Sequence, residues 1–156
     1  MKLTSYTDYT LRVLMYLALH PERLCTIPEI AHAYDISESH LTKVVHQLAK
    51  TGDVESVRGK HGGIRLARPA ADIRIGEVVR LAEGEAPIVA CFEAKDLCRI
   101  AGGCKLAGVL AHGFDALFTT LNAYTLADLT AQPANLTAVL RPGPAPATTL
   151  PDQRAP

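Results

Sequence analysis

A mostly α-helical domain with a small β-wing, completed by a long C-terminal dimerisation helix, is the fold class this sequence predicts. Three observations carry it. Two short amphipathic segments flank a brief turn at Asp35 and Ile36, a glycine-containing hairpin follows at once, and a long apolar stripe runs from Lys105 to about Ala123.

Ser5 is placed to cap a first helix running to about His20, with Tyr6, Tyr9, Val13, Leu14 and Leu17 spaced as one buried stripe. Pro21 helps to end it. Thr26 with Glu29 three residues on forms a capping box, and Pro28 in the first turn opens a short helix through Ile30, Ala31 and Tyr34. After the turn, Ser37 can cap a third helix whose inner face carries Leu41, Val44, Val45 and Leu48, with Gly52 at its left-handed terminus. Strand-like runs follow at Val54 to Val57 and Ile64 to Ala67, around Lys60, His61, Gly62 and Gly63, where glycine is expected to supply positive φ. Asp72 to Glu83 reads as another helix with Ile75, Val78, Val79 and Leu81 as its apolar set, closed by Gly84.

Helices two and three with their short turn form the pattern of a helix-turn-helix DNA reader, and the hairpin makes it a winged one. In the third helix Ser37, Glu38, Ser39, His40, Lys43 and Gln47 lie at the start or on the outer side, where hydrogen-bonding groups can meet base edges. The same polarity would suit any solvated helix face. Arg58, Lys60, His61 and Arg65, with Arg68, surround the glycine turn and can reach phosphates or a minor groove. The order of the two features, reader then wing, favours double-stranded DNA as the partner.

Composition adds bounds. The chain has 156 residues, 48% of them apolar, enough for one domain with a core and too little for a multidomain enzyme. Its 16 basic and 16 acidic side chains cancel, so bulk charge gives no reason to expect nucleic acid. The balance is local. Arg58, Lys60, Arg65, Arg68, Arg74 and Arg80 face only Asp72 and Glu77 within one stretch. Asp8 and Arg12 interrupt the approach to the apolar run from Val13 to Leu19, and no small-residue cleavage site follows, so the reading is a cytoplasmic helix rather than a leader. No apolar stretch reaches the roughly 18 to 20 residues needed to cross a bilayer, and no membrane partner is expected.

The segment from Glu85 to Cys104 has no steady period and holds Cys91, Cys98 and Cys104 with Gly102 and Gly103; loops of this length usually serve function. The cysteine gaps are too wide for structural-zinc knuckles or a thioredoxin-type dithiol. Loose spacing suits an iron–sulfur cluster, which takes soft thiolates, usually four. Cys25 is a conceivable fourth, although a small buried thiol is its ordinary reading. His112 on the long helix reads as a solvated histidine, and Asp8 as the partner of Arg12 in an i,i+4 ion pair. From Lys105 onwards Leu106, Leu110, Leu117 and Leu121, widened by Val109, Phe114 and Phe118, make a face one small domain cannot cover, so a homodimer is expected. Beyond Ala131 prolines accumulate and aromatic residues cease, a composition expected to lack order. The expected division is therefore 1–83 DNA-binding domain, 84–104 cluster-binding loop, 105–131 dimerisation helix with a short following helix, and 132–156 tail.

Three stretches carry a family likeness: LTSYTDYTLRVLMYLA from Leu3 to Ala18, VRGKHGGIRLARPAADIRIGEVVR from Val57 to Arg80, and the cysteine trio followed by NAYTLADL from Asn122 to Leu129. They resemble the NsrR family of bacterial nitric-oxide-sensing repressors, relatives of the IscR iron–sulfur regulators, over nearly everything up to Ala131. The resemblance implies a winged-helix homodimer holding a 4Fe-4S cluster, rather than 2Fe-2S, on Cys91, Cys98 and Cys104, with Asp8 of the partner subunit as fourth ligand. It implies repression at a palindromic operator, relieved when nitric oxide reaches the cluster. Ala107 stands where the IscR relatives have a histidine, which favours NsrR over an IscR-like sensor of cluster supply or redox state. The gap between Cys91 and Cys98 is longer than is common in the family. No nucleotide loop or acid–base constellation is present, and no enzymatic activity is expected.

Overall fold

The computed structural model describes residues 3–84 and 104–140. Its elements are helix α1 (Ser5–Leu19), α2 (Ile27–Tyr34), α3 (Glu38–Thr51), strands β1 (Val54–Val57) and β2 (Gly63–Leu66), a 3-10 turn at Ala70–Asp72, then α4 (Ile75–Glu83), α5 (Leu106–Asn122), α6 (Leu126–Leu129) and α7 (Pro133–Thr137). The mostly α winged helix-turn-helix class is what the chain adopts.

Helix α1 is the centre. Its inner face, with Thr7, Val13 and Leu14 fully buried and Leu17 nearly so, packs against α3 and α4 and touches β2 and α6. Fully burying one such aliphatic side chain stabilises by about 1.5–3 kcal/mol, so this face and its partners Ile30, Leu41, Val44, Leu48, Val78 and Val79 form one continuous core. Tyr6 and Tyr9, expected in the buried stripe, are half-buried at its margin. The cap is Thr4 rather than Ser5: the Thr4 hydroxyl accepts from the Thr7 N–H, and Ser5 is the first helical residue. Helix α2 has the full capping box of Thr26 and Glu29 and ends at Asp35, whose φ of 56° starts the turn into α3. Ser37 occupies the N-cap position of α3, but its hydroxyl makes no capping bond and sits 3.3 Å from the Ser39 hydroxyl.

The wing is antiparallel, with Val54 opposite Leu66 and Val57 opposite Gly63, so β2 begins one residue earlier than expected and stops before Ala67. Its positive φ belongs to Gly59, at 120°, not to Gly62 or Gly63. Those two glycines serve close approach instead. A Cβ on Gly63 would lie 2.6 Å from the Cys25 carbonyl oxygen, because the far edge of β2 is also paired: the Cys25 and Ile64 amides each donate to the other's carbonyl, at 2.9 and 2.7 Å.

The expected helix from Asp72 starts later. Ile73 is extended and buried, and its carbonyl accepts from the Leu126 N–H at 2.9 Å, while the Ile75 N–H donates to the Tyr124 carbonyl at 3.1 Å. This short bridge seats the fully buried Leu126 and ties the C-terminal part to the head. Leu81, assigned above to the apolar face of α4, is 63% exposed. Six residues beyond Ile75 it lies about 240° round the helix, off the face that Ile75, Val78 and Val79 share.

No residue of α5 is buried. Phe118 and Leu121 pack on the core, while Leu106 and Val109 are exposed and Leu110, Phe114 and Leu117 are partly covered. The tail, expected to lack order from 132, opens with α7, where Pro133 occupies the first turn that tolerates it, and Leu140 packs against the core. Residues 141–156 lie outside the described part.

Gly76 of α4 lets α5 come close: a Cβ there would meet the Asn122 side-chain oxygen and lie 2.9 Å from the Phe118 carbonyl oxygen. Gly76→Ala is therefore expected to destabilise the chain by about 1–3 kcal/mol, seen as a lower denaturation midpoint with an unchanged m-value; an unaltered midpoint would remove this crossing as a close contact.

Candidate nucleic-acid interface and metal-ligand residues

Helix α3 turns Leu41, Val44, Val45 and Leu48 inward, which fixes what its other sides present. Ser37, Glu38, Ser39, His40, Lys43 and Gln47 are all exposed. At about 100° per residue, Ser39, Lys43, His46 and Lys50 point directly away from the core as one stripe. His46 and Lys50 were missed in the sequence reading, although they follow Lys43 at i+3 and i+7. His40 and Gln47 lie on the flank towards α1 and α4. The His40 ring stacks on Tyr9 of α1 with centroids 6.0 Å apart, and Gln47 lines a small crevice with Tyr6, Thr10 and Leu81.

The basic residues divide. Arg58, Lys60 and His61 are exposed around the wing turn. Arg65 is exposed too, but its guanidinium pairs across the strands with Glu55, at 3.1 Å. Arg68, read above as a phosphate contact, points inward: it donates to the buried Asp53 carboxylate at 2.6 and 2.9 Å and to the Asp72 carbonyl at 2.8 Å. A buried carboxylate needs a charged partner, and that need takes Arg68 away from any outside ligand. Arg74 donates to the Asn122 carbonyl at 3.3 Å, and Arg80 lies 4.2 Å over the Phe118 ring. Both fasten the head to α5.

Asp8 stands in the first turn of α1 with 48% of its side chain exposed, paired with Arg12 at 3.0 Å. Arg12 in turn lies 5.6 Å from the centre of the Tyr34 ring at the end of α2. Cys104 is a free, half-buried thiol just before α5. Cys91 and Cys98 lie outside the described residues, and among the described residues there is no group of three or more metal-ligating side chains. Cys25 is fully buried, and burial pushes its thiol up to about 11, as expected of a packing residue and not of a ready thiolate. His112 is exposed on α5, and Ala107 is half-buried one turn before it. The two donors described, the free Cys104 thiol and the Asp8 carboxylate, are of types that iron can take. Asp8 is held only by an exposed i,i+4 pair, worth about 0.3–0.5 kcal/mol, which a metal would readily displace, and thiolates with one carboxylate suit an iron–sulfur centre.

A second carboxylate site was not legible in the sequence. Glu83, the last residue of α4, accepts from the Thr4 N–H at 2.8 Å, from the Thr4 hydroxyl at 3.1 Å and from the buried Thr7 hydroxyl. Burial alone would raise the Glu83 carboxyl, but the Thr7 and Thr4 hydrogen bonds outweigh it and hold it below the usual range. Nothing in local spacing links residues so far apart.

A three-helix head with a reading helix, an antiparallel wing and an appended long helix is the architecture of a winged-helix transcriptional regulator. Comparison with known proteins narrows this. Residues 3–132 match the Rrf2 family, described as an iron-dependent transcriptional regulator. Curated relatives include the HTH-type transcriptional regulator NsrR of Bacillus subtilis (strain 168), 50% identical over 83% of this chain and 90% of its own. That of Geobacillus kaustophilus is 46% identical over 90% of this chain and 97% of its own. Among solved structures, T. potens IscR superposes with a TM-score of 0.69 at 27% identity, covering 84% of this chain and 87% of its own. CymR, the global cysteine regulator of B. subtilis, gives 0.66 at 26% identity, covering 84% and 97%. The chain belongs to the Rrf2 family; it is a transcriptional regulator of the NsrR type, related to IscR, and not an enzyme. Among the described residues no helix is long and apolar enough to cross a membrane.

The division of the arginines is testable by substitution. Arg68→Ala should cost about 2–4 kcal/mol of stability by stranding the Asp53 carboxylate and leave the salt dependence of DNA binding unaltered. Arg58→Ala should leave stability unaltered and reduce the slope of log K against log salt by about 1. The reverse pattern in parallel melting and binding titrations would reassign both residues.

Proposed function

We propose that this chain is an iron–sulfur-dependent repressor that binds operator DNA as a homodimer and lets go when nitric oxide reaches its metal centre. The observation that carries the reading is the placement of Asp8: a half-exposed carboxylate, weakly held, on the helix that packs directly against the reading helix. Cys91, Cys98 and Cys104 would hold the cluster, taken as 4Fe-4S, and Asp8 of the partner subunit would complete it. When bound, the cluster supplies an iron whose carboxylate ligand is its most displaceable one, open to a small diatomic molecule.

The chain's own residues carry the response. Asp8, once released, returns to Arg12, whose guanidinium lies over Tyr34 at the end of α2; its neighbour Tyr9 stacks on His40 at the start of α3. The bonding of Asp8 therefore bears on both sides of the helix-turn-helix turn. A coupling of about 1–3 kcal/mol changes occupancy roughly 5- to 150-fold. In the complex, Ser39, Lys43, His46 and Lys50 face base edges, with Ser37, Glu38, His40 and Gln47 at the margins, and Arg58, Lys60, His61 and Arg65 meet the backbone. The exposed Leu106 and Val109 and the partly covered Leu110, Phe114 and Leu117 pair with a second copy. The two reading helices then lie about one DNA turn apart, roughly 34 Å.

The test is anaerobic reconstitution followed by operator binding during nitric oxide titration. Cys98→Ala should lose iron outright, and Asp8→Ala should keep it less firmly or respond differently. Binding that stays constant while the visible absorbance collapses would defeat the sensor reading, and a 2Fe-2S spectrum insensitive to nitric oxide would favour an IscR-like sensor of cluster supply.

A further inference from the structure

The carboxylate of Glu83 sits where two parts of the proposed mechanism meet. One of its oxygens takes three hydrogen bonds from the first turn of α1, two from Thr4 and one from Thr7. Thr4 in turn caps that turn, accepting from the Thr7 N–H at 3.2 Å, and its carbonyl accepts from the Asp8 N–H at 3.1 Å. The next residue after Glu83 is Gly84, with φ of 75°, which ends α4. An acidic group beside the N-terminus of a helix is favoured by the helix dipole and by donors left without intrahelical partners. Here it does more than cap, because it comes from another element and from a residue 76 to 79 positions away.

We propose that Glu83 is a positioning residue for Asp8, fastening the first turn of α1 to the end of α4 so that the Asp8 carboxylate is presented to the metal from a fixed place. The inference rests on the reading of Asp8 as a ligand given above. Thr7, fully buried, is the rigid side of the clamp, and its hydroxyl has no solvent alternative.

The experiment uses the full chain loaded with cluster under anoxia and follows loss of visible absorbance in the presence of a ferrous chelator. Wild type is compared with Glu83→Ala, Glu83→Gln and Thr7→Val, each with and without Asp8→Ala, while melting of the iron-free proteins reports stability separately. Glu83→Ala and Thr7→Val should speed loss about 5-fold where Asp8 is present and leave the rate alone where it is absent, the signature of coupled residues. Glu83→Gln, which keeps an acceptor oxygen, should restore most of the wild-type rate. Equal acceleration in both backgrounds would make Glu83 a merely structural residue and overturn the proposal. So would wild-type loss rates in all clamp variants of a protein that does bind iron. A wild-type chain that takes up no iron at all would instead overturn the Asp8 reading, and the clamp with it.

Discussion

The packing of α1 into the head is the constraint on which the rest depends. Thr7, Val13, Leu14 and Leu17 are inaccessible or nearly so, and they bring α1 against α3 and α4 at once. A helix buried so completely along one side has no freedom to rotate about its axis without opening voids, each of which would cost several kcal/mol. Its other side is thereby fixed as well. Asp8, Tyr9 and Arg12 project from that side because the inner residues leave them nowhere else to go, and they meet Tyr34 and His40 for the same reason. What makes α1 structural would, with Asp8 as the proposed ligand, also make it a route to the reading helix.

Local chemistry made much of the architecture legible. The box of Thr26 and Glu29, the positive-φ Gly52, the apolar periods of α1 and α3 and the alternation around the wing each depend on neighbours within a few residues, so spacing alone reveals them. Two misses are local, the Thr4 cap one residue before Ser5 and the outward phase of Leu81 on α4. The others depend on partners distant in sequence: Arg74 bridges to Thr125, and Gly63 is there for Cys25. The same holds at the site. The outer face of α3 was readable as polar, but which of its residues form the central stripe follows only once the inner face is fixed. Glu83 had no signal, since its partners are at the other end of the domain. Of the cysteine trio the structure describes Cys104, and Cys91 and Cys98 lie outside it.

A neutral chain that handles a polyanion must sort its charges, and the fold does so by giving half of the basic stretch partners within the chain. Arg68 neutralises the buried Asp53, Arg80 covers Phe118 and Arg74 holds the Asn122 carbonyl. Of these Arg68 is drawn in, Arg74 and Arg80 stay exposed, and the exposed Arg65 is offset by Glu55. The exposed Arg58, Lys60 and His61 cluster around one turn. Charge concentrated at a tip gives orientation with little long-range pull, which suits a reader that must find one register and not merely adhere.

Strand β2 is hydrogen-bonded on both edges, to β1 and to Cys25, and Arg68 bolts its far end to the loop before β1. The hairpin is thus braced at two places, along the outer edge of β2 and at its end. In the homodimer proposed above, an effector that left this brace intact would alter the fit to a duplex through the distance or tilt between the two heads as well as through α1. Control of this kind is metrical: the regulator would be tuned to the phase of the double helix, and inserting half a turn between its half-sites would mimic the released state on intact protein.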